Sequence, residues 1–128
     1  MSVQSKVIEA LRAMIDALNP FAPITVGPLT EGEGLTLSVS AGRTETVTLS
    51  LGGTAALDVA LACRRADQTA AMETLCQIHE ALTKSEALPG GEGWQTIAVD
   101  TASSPACVNR EGPYWVYGSA LSVRYTAD

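Results

Sequence analysis

Charge is scarce in this chain, and positive charge scarcest of all. Asp, Glu, Lys and Arg together make up 17% of 128 residues, and eight basic residues face fourteen acidic ones, for a net charge of -6 and a pI near 4.6. Affinity for nucleic acid comes mainly from neutralising phosphate with Lys and Arg, so this balance speaks against a free-standing nucleic-acid binder. Histidine is reduced to His79, which thins out histidine-based catalysis and metal binding. Cysteine is sparse too. Cys63, Cys76 and Cys107 are odd in number and irregular in spacing, which fits reduced thiols packed as small apolar side chains better than a disulfide framework. No run approaches the roughly 20 apolar residues that cross a bilayer. The N-terminal stretch is interrupted by Lys6, Glu9, Arg12 and Asp16, a pattern unlike a signal peptide. Repeats, linkers and low-complexity tracts are lacking, so the expectation is a single domain over 1–128.

Apolar residues make up 46% of the chain, enough for a packed core. Val3, Val7, Ile8, Leu11, Met14, Ile15 and Leu18 recur in steps of three and four, the stripe of an amphipathic helix. Asn19-Pro20 ends it, because the residue before proline is pushed out of the helical region. Three prolines and three glycines between 20 and 34 predict irregular chain with at most a short strand at Ile24–Val26. The period then becomes two. Leu35, Leu37 and Val39 form one run, Ala41-Gly42-Arg43 reads as a turn, and Val47, Leu49 and Leu51 form the returning run of an antiparallel hairpin. Leu57, Val59, Leu61 and Cys63 alternate with Asp58, Ala60 and Ala62 as a third strand.

Asp67 is placed to cap a second helix reaching about Thr83, with Ala71, Met72, Leu75, Ile78, His79 and Leu82 along its stripe. Residues 88–93 read as a loop, Ile97 and Val99 as a strand, and 101–113 as a longer loop. Trp115, Tyr117, Leu121, Val123 and Tyr125 give the last alternating strand. The order helix, three strands, helix, two strands lacks the regular strand–helix alternation of a doubly wound sheet. It predicts an α+β fold, with one antiparallel or mixed sheet flanked by two helices. The outward strand positions are mostly Thr, Ser, Ala and Gly, either plain solvent exposure or a face covered by a neighbouring subunit.

Catalytic patterns are hard to find. Cys76 and His79 are spaced as a helical ligand pair, but a structural zinc site normally has two close-spaced pairs, and packing explains His79 better. The spacing of Gly27-Pro-Leu-Thr-Glu-Gly32 mimics a phosphate loop, yet Glu33 stands where that motif needs lysine. The carboxylates Glu31 and Glu33, or Asp58 and Asp100, read as solvated acids. Tyr114, Trp115 and Tyr117 read as packing aromatics rather than a base-stacking platform. No cofactor, metal or enzymatic activity is expected.

Two stretches carry a resemblance. Asp58-Val-Ala-Leu-Ala-Cys-Arg-Arg-Ala-Asp-Gln68 runs into the helix holding Ala71, Leu75, Ile78 and Leu82. The ending has Trp94, Ile97, Val99, Thr101, Pro105 and Val108, then Trp115-Val-Tyr117 and Leu121-Ser-Val123-Arg-Tyr125. Together they resemble the minor capsid or tail-terminator proteins of long-tailed bacteriophages. The resemblance implies a structural virion protein at the head–tail junction, made in the host bacterial cytoplasm. It would form a hexameric ring that ends tail-tube polymerisation and offers a surface to the head-completion protein. Its partners would be itself, the tail-tube protein and the head-completion protein, with DNA only as passing cargo and no membrane. Two other readings stand beside it: a small ligand-binding or enzymatic α+β domain, and another phage neck adaptor. In a ring, the scarce cations Arg43, Arg110 and Arg124 are candidates to meet Glu31, Glu33, Glu45 or Glu92 across the seam between subunits.

Overall fold

The structure, a computed structural model, describes residues 3–27, 31–47, 53–85 and 88–127. Helix α1 (Val3–Asp16) opens the chain. It closes where Asn19 takes a left-handed conformation at φ 60° and donates its N–H to the Asp16 carbonyl at 3.0 Å, as asparagine does at helix ends. Strands β1 (Ile24–Val26), β2 (Gly34–Val47) and β3 (Gly53–Arg65) follow. Helix α2 (Gln68–Thr83) comes next, then β4 (Gly90–Gly91), β5 (Trp94–Glu111) and β6 (Tyr114–Ala127). All six strands form one sheet in the order β1-β2-β3-β6-β5-β4. It is mixed: β1 lies parallel to β2, and every other neighbouring pair is antiparallel. The expected α+β class holds.

Alternation decides which face is buried. Leu35 and Leu37 of β2, Leu57, Val59, Leu61 and Cys63 of β3, Val99 of β5, and Tyr117, Leu121, Val123 and Tyr125 of β6 point to one side. There they meet Val7, Ile8, Leu11 and Ile15 of α1 and Ala71, Leu75, Ile78 and Leu82 of α2 in one apolar cluster. Both helices therefore lie on the same face. The opposite face presents Asp58, Ala60 and Ala62 beside Gly118, Ala120 and Ser122, and no described helix packs on it. α2 starts where Asp67 accepts hydrogen bonds from the Thr69 and Ala70 N–H groups, at 3.0 and 3.4 Å.

Five sequence expectations are corrected. Ala41-Gly42-Arg43 is no turn: β2 runs through it and pairs with β3 rather than with a strand at 47–51. Small and polar residues were read there as a break, but β3 supplies a ladder partner along nearly the whole strand. Residues 101–113 are not a loop, since β5 continues to Glu111 and only Gly112-Pro113 turns the chain, with Gly112 at φ 58°. The two-residue strand β4 lies inside the stretch expected to be a loop at 88–93. Finally, a register shift between Thr96 and Ala98 breaks the parity of Ile97 and Val99, so Ile97 is 45% exposed while Val99 is buried. Met72 also leaves the α2 stripe, at 41% exposure. Trp115 is half-buried against the core cluster. Leu49 and Leu51 lie outside the described residues, and so does the side chain of Val47.

Leu75 is 1% exposed at the centre of the helix–sheet interface. Leu75→Ala should lower stability by about 2–5 kcal/mol in denaturant unfolding, through lost transfer energy plus the cavity left behind.

Candidate interaction surface

One end of the sheet gathers a set of polar contacts between segments distant in sequence. β3 ends in Arg64-Arg65, and alternation sends the two side chains to opposite faces. Arg64 donates from Nε to the Gly32 carbonyl at 2.6 Å and from a terminal nitrogen to the Glu111 carboxylate at 2.6 Å. Its guanidinium also stands 5.9 Å from the Tyr114 ring centre. One side chain thus ties the segment before β2 to the tip of the β5–β6 hairpin. Arg65 lies 4.1 Å over the Phe21 ring, with its Nε 3.6 Å from Glu33. Glu33 in turn accepts the Ala66 N–H at 2.9 Å. Gln68 donates to the Tyr117 hydroxyl at 3.1 Å, joining the first turn of α2 to β6.

Within one chain, three of the charges proposed for a seam between subunits have partners of their own. Arg110 stacks on Trp115 of the same chain, 4.5 Å from the ring centre. Arg124 faces Asp100 of the same chain at 3.7 Å, and Glu33 belongs to the Arg65 cluster. Glu31 and Glu92 are exposed, in the segment before β2 and in the turn between β4 and β5. Arg43 and Glu45 stand on β2, and their side chains lie outside the described residues. Among the described side chains, the structure brings none of Arg110, Arg124, Glu31, Glu33 and Glu92 together with another of the set. The contacts of Arg64 with Glu111 on one face, and of Arg65 with Phe21 and Glu33 on the other, are what sequence reasoning missed. Their signal was two adjacent arginines ending an alternating strand just before a capping aspartate.

His79 sits beneath the sheet at 5% exposure, with Nδ1 2.9 Å from Ser119 Oγ and Nε2 2.8 Å from Thr101 Oγ1. Both ring nitrogens are therefore used in tying α2 to β6 and β5. Burial pushes its pKa below the ordinary 6.5, with the nearby Glu80 acting weakly the other way. Cys63, buried on the same face, has its thiol pushed up to about 12 by burial and is held as the unreactive thiol. Among the described residues no group of three or more His, Cys, Asp or Glu side chains is placed to hold a metal ion. No helix of the described residues is long and apolar enough to cross a membrane. A hollow of about 360 Å³ lies between α1 and the sheet, lined by Gln4, Ser5, Ile8, Glu9, Val26 and Val39. Its carboxylate, Glu9, is paired with Arg12 at 3.1 Å, so no set of polar groups converges there on a reacting atom.

Fold and site together define a small α+β domain whose helices cover one sheet face, whose other face carries small residues, and whose polar contacts lock strand ends. No protein-family model matches the chain, and no curated protein matches it. Among solved structures, a chain of the "Virion of native gene transfer agent (GTA) particle" has the same fold. The TM-score is 0.59, over 94% of this chain and 92% of that one, at 14% sequence identity.

Two outcomes follow from this geometry. The unfolded chain protonates His79 at its ordinary pKa, while the fold resists protonation. Its contribution is therefore complete above pH 6.5 and falls as pH drops through 6.5 towards the lower folded value. Stability measured by urea unfolding between pH 7.5 and 5 should fall more steeply for the native chain than for His79→Gln. A double-mutant cycle on Arg64 and Glu111, using Arg64→Met and Glu111→Gln, should give a coupling of about 1 kcal/mol. That is more than an exposed pair gives, because one partner is nearly buried.

Proposed function

We propose that this chain is a structural virion protein, and more narrowly the ring-forming component that ends tail-tube growth at the head–tail junction. The observation that carries the reading is the fold shared with a chain of the gene transfer agent virion along nearly the full length of both. The resemblance of Asp58–Gln68 and of the final strands to tail-terminator proteins points the same way. Three physical features suit the role. The polar clusters tie the fold's own segments together instead of converging on a substrate. The helix-free face carries Ala60, Ala62, Gly118 and Ala120, small enough for another surface to approach closely. The net charge of -6 suits a passage through which DNA slides without sticking, since like charges repel along the path.

On this reading the chain's partners are further copies of itself, the tube protein and the head-completion protein, and it performs no catalysis. The test is reconstitution with its cognate tube protein, followed by electron microscopy of tube ends. Tubes should stop growing and carry a six-fold ring at one end. Unchecked growth with bare ends would contradict the assignment. A small molecule that raises the melting temperature in a ligand screen would favour a binding domain instead.

A further inference from the structure

The sheet is open at both sides, and the two open edges match each other. β1 covers β2 only at Leu35–Leu37. β4 covers β5 only at Trp94 and Gln95, followed by the Thr96 N–H donated to the Pro89 carbonyl at 3.0 Å. Among the described residues, no strand pairs with the outer edge of β2 from 38 to 47, or with that of β5 from 97 to 111.

Direction comes first. β2, β3, β6 and β5 are each antiparallel to the next, so β2 and β5 run opposite ways at the two sides. A second copy set beside the first in the same orientation brings β5 of one against β2 of the other as an antiparallel pair, the slightly stronger ladder. Level comes second. Ala41, Asp58, Ser122 and Asp100 form one row across the sheet; Gly42, Leu57, Val123 and Val99 form the next; Arg43, Ala56, Arg124 and Ala98 form the third. The stretches Ala41–Arg43 and Ala98–Asp100 therefore stand at the same height on opposite edges. Residues of one row share a face, so the helix-free face of one copy would continue into that of the next.

Regularity comes third. The stretch on β2 is bounded by register shifts at Val39/Ala41 and Thr44/Thr46. The stretch on β5 is bounded by shifts at Thr96/Ala98 and Thr101/Ser103. Such irregularities bend a strand and end its pairing, which lets each chain swing clear of the neighbour's β1 below and β4 above. Exposed edges are ordinarily blunted by charge or proline. Here the lower part of β5 has Pro105 and Arg110, whereas Ile97–Ser104 holds Asp100 as its one charged residue and no proline. Each matched stretch carries a single charge, Asp100 on β5 and Arg43 on β2, and the two are of opposite sign.

We infer that Ala98–Asp100 of one copy pairs antiparallel with Ala41–Arg43 of a second copy of this chain, head to tail, joining neighbouring subunits into a continuous sheet. The inference deepens the ring reading and rests on it for the cyclic arrangement. A three-residue ladder holds weakly by itself, which suits a ring that closes on a tube end.

The test is disulfide trapping of Ala98→Cys with Arg43→Cys in a Cys107→Ser background, oxidised both in concentrated solution and on tube ends. The expected result is a ladder of covalent multimers on non-reducing gels that collapses to monomer with reductant. Ala98→Cys with Thr36→Cys, a position covered by β1, should give none. Ala41→Cys with Asp100→Cys tests the neighbouring row, should the first pair fail to fold. Absence of a ladder while native mass spectrometry shows multimers would overturn the edge pairing and leave the ring standing. Absence of multimers in solution and on tube ends would overturn both. Efficient dimer from Ala98→Cys alone would mean that β5 pairs with itself about a two-fold axis, and the inference would fail.

Discussion

The ladder between β3 and β6 is the constraint on which the rest of this molecule depends. It runs from Gly53↔Ala127 to Arg65↔Trp115 without a register shift, whereas the β2 and β5 ladders flanking it are both interrupted. Because a strand's side chains alternate strictly, an unbroken ladder fixes the parity of both strands along their whole length. It sets Leu57, Val59, Leu61 and Cys63 of β3 and Tyr117, Leu121, Val123 and Tyr125 of β6 on one face. That face is the floor on which α1 and α2 pack. The helices are held to it by burial and, at His79, by hydrogen bonds to Ser119 and Thr101.

From the same ladder follows the division between a fixed centre and adaptable margins. β2 and β5 each have one neighbour along most of their length, and each absorbs irregularity through register shifts that β3 and β6 cannot tolerate. Arg64 and Arg65 then lock the end of the ladder, where the chain leaves β3 for α2 and where the β5–β6 hairpin turns. A rigid middle with locked ends and open sides fits a subunit that meets its own kind edge to edge more readily than one that encloses a ligand.

Legibility in the sequence tracks this division. The strands β3 and β6 and both helices could be read directly, because their apolar residues recur with the period of the structure and each element buries one face. Asp67 marked the start of α2 for the same reason: a cap is a local interaction. The failures fall on the margins. β5 beyond Thr101 is exposed almost throughout, so no apolar alternation records that it is a strand, and three register shifts from Thr101 onwards scramble what parity remains. Ala41-Gly42-Arg43 has turn-forming composition and becomes strand only because β3 supplies a partner. Charged contacts were least legible. Arg110 and Arg124 stand out by scarcity as cations, and within the chain they meet Trp115 and Asp100. The pair that organises the sheet end, Arg64-Arg65, is distinguished by its position at a strand terminus and not by any composition around it.

The central claim, a fixed β3–β6 ladder between open edges, is most directly tested by residue-resolved amide hydrogen exchange on the isolated chain. Amides of Leu57–Cys63 and of Tyr117–Val123 should exchange slowest, close to the limit set by global unfolding. Along Ala98–Thr101 slow amides bonded to β6 should alternate with fast ones facing outwards, and the same alternation should appear along Ala41–Thr44. Uniform strong protection through both edge stretches in the monomer, or early exchange in β3 and β6, would contradict the account.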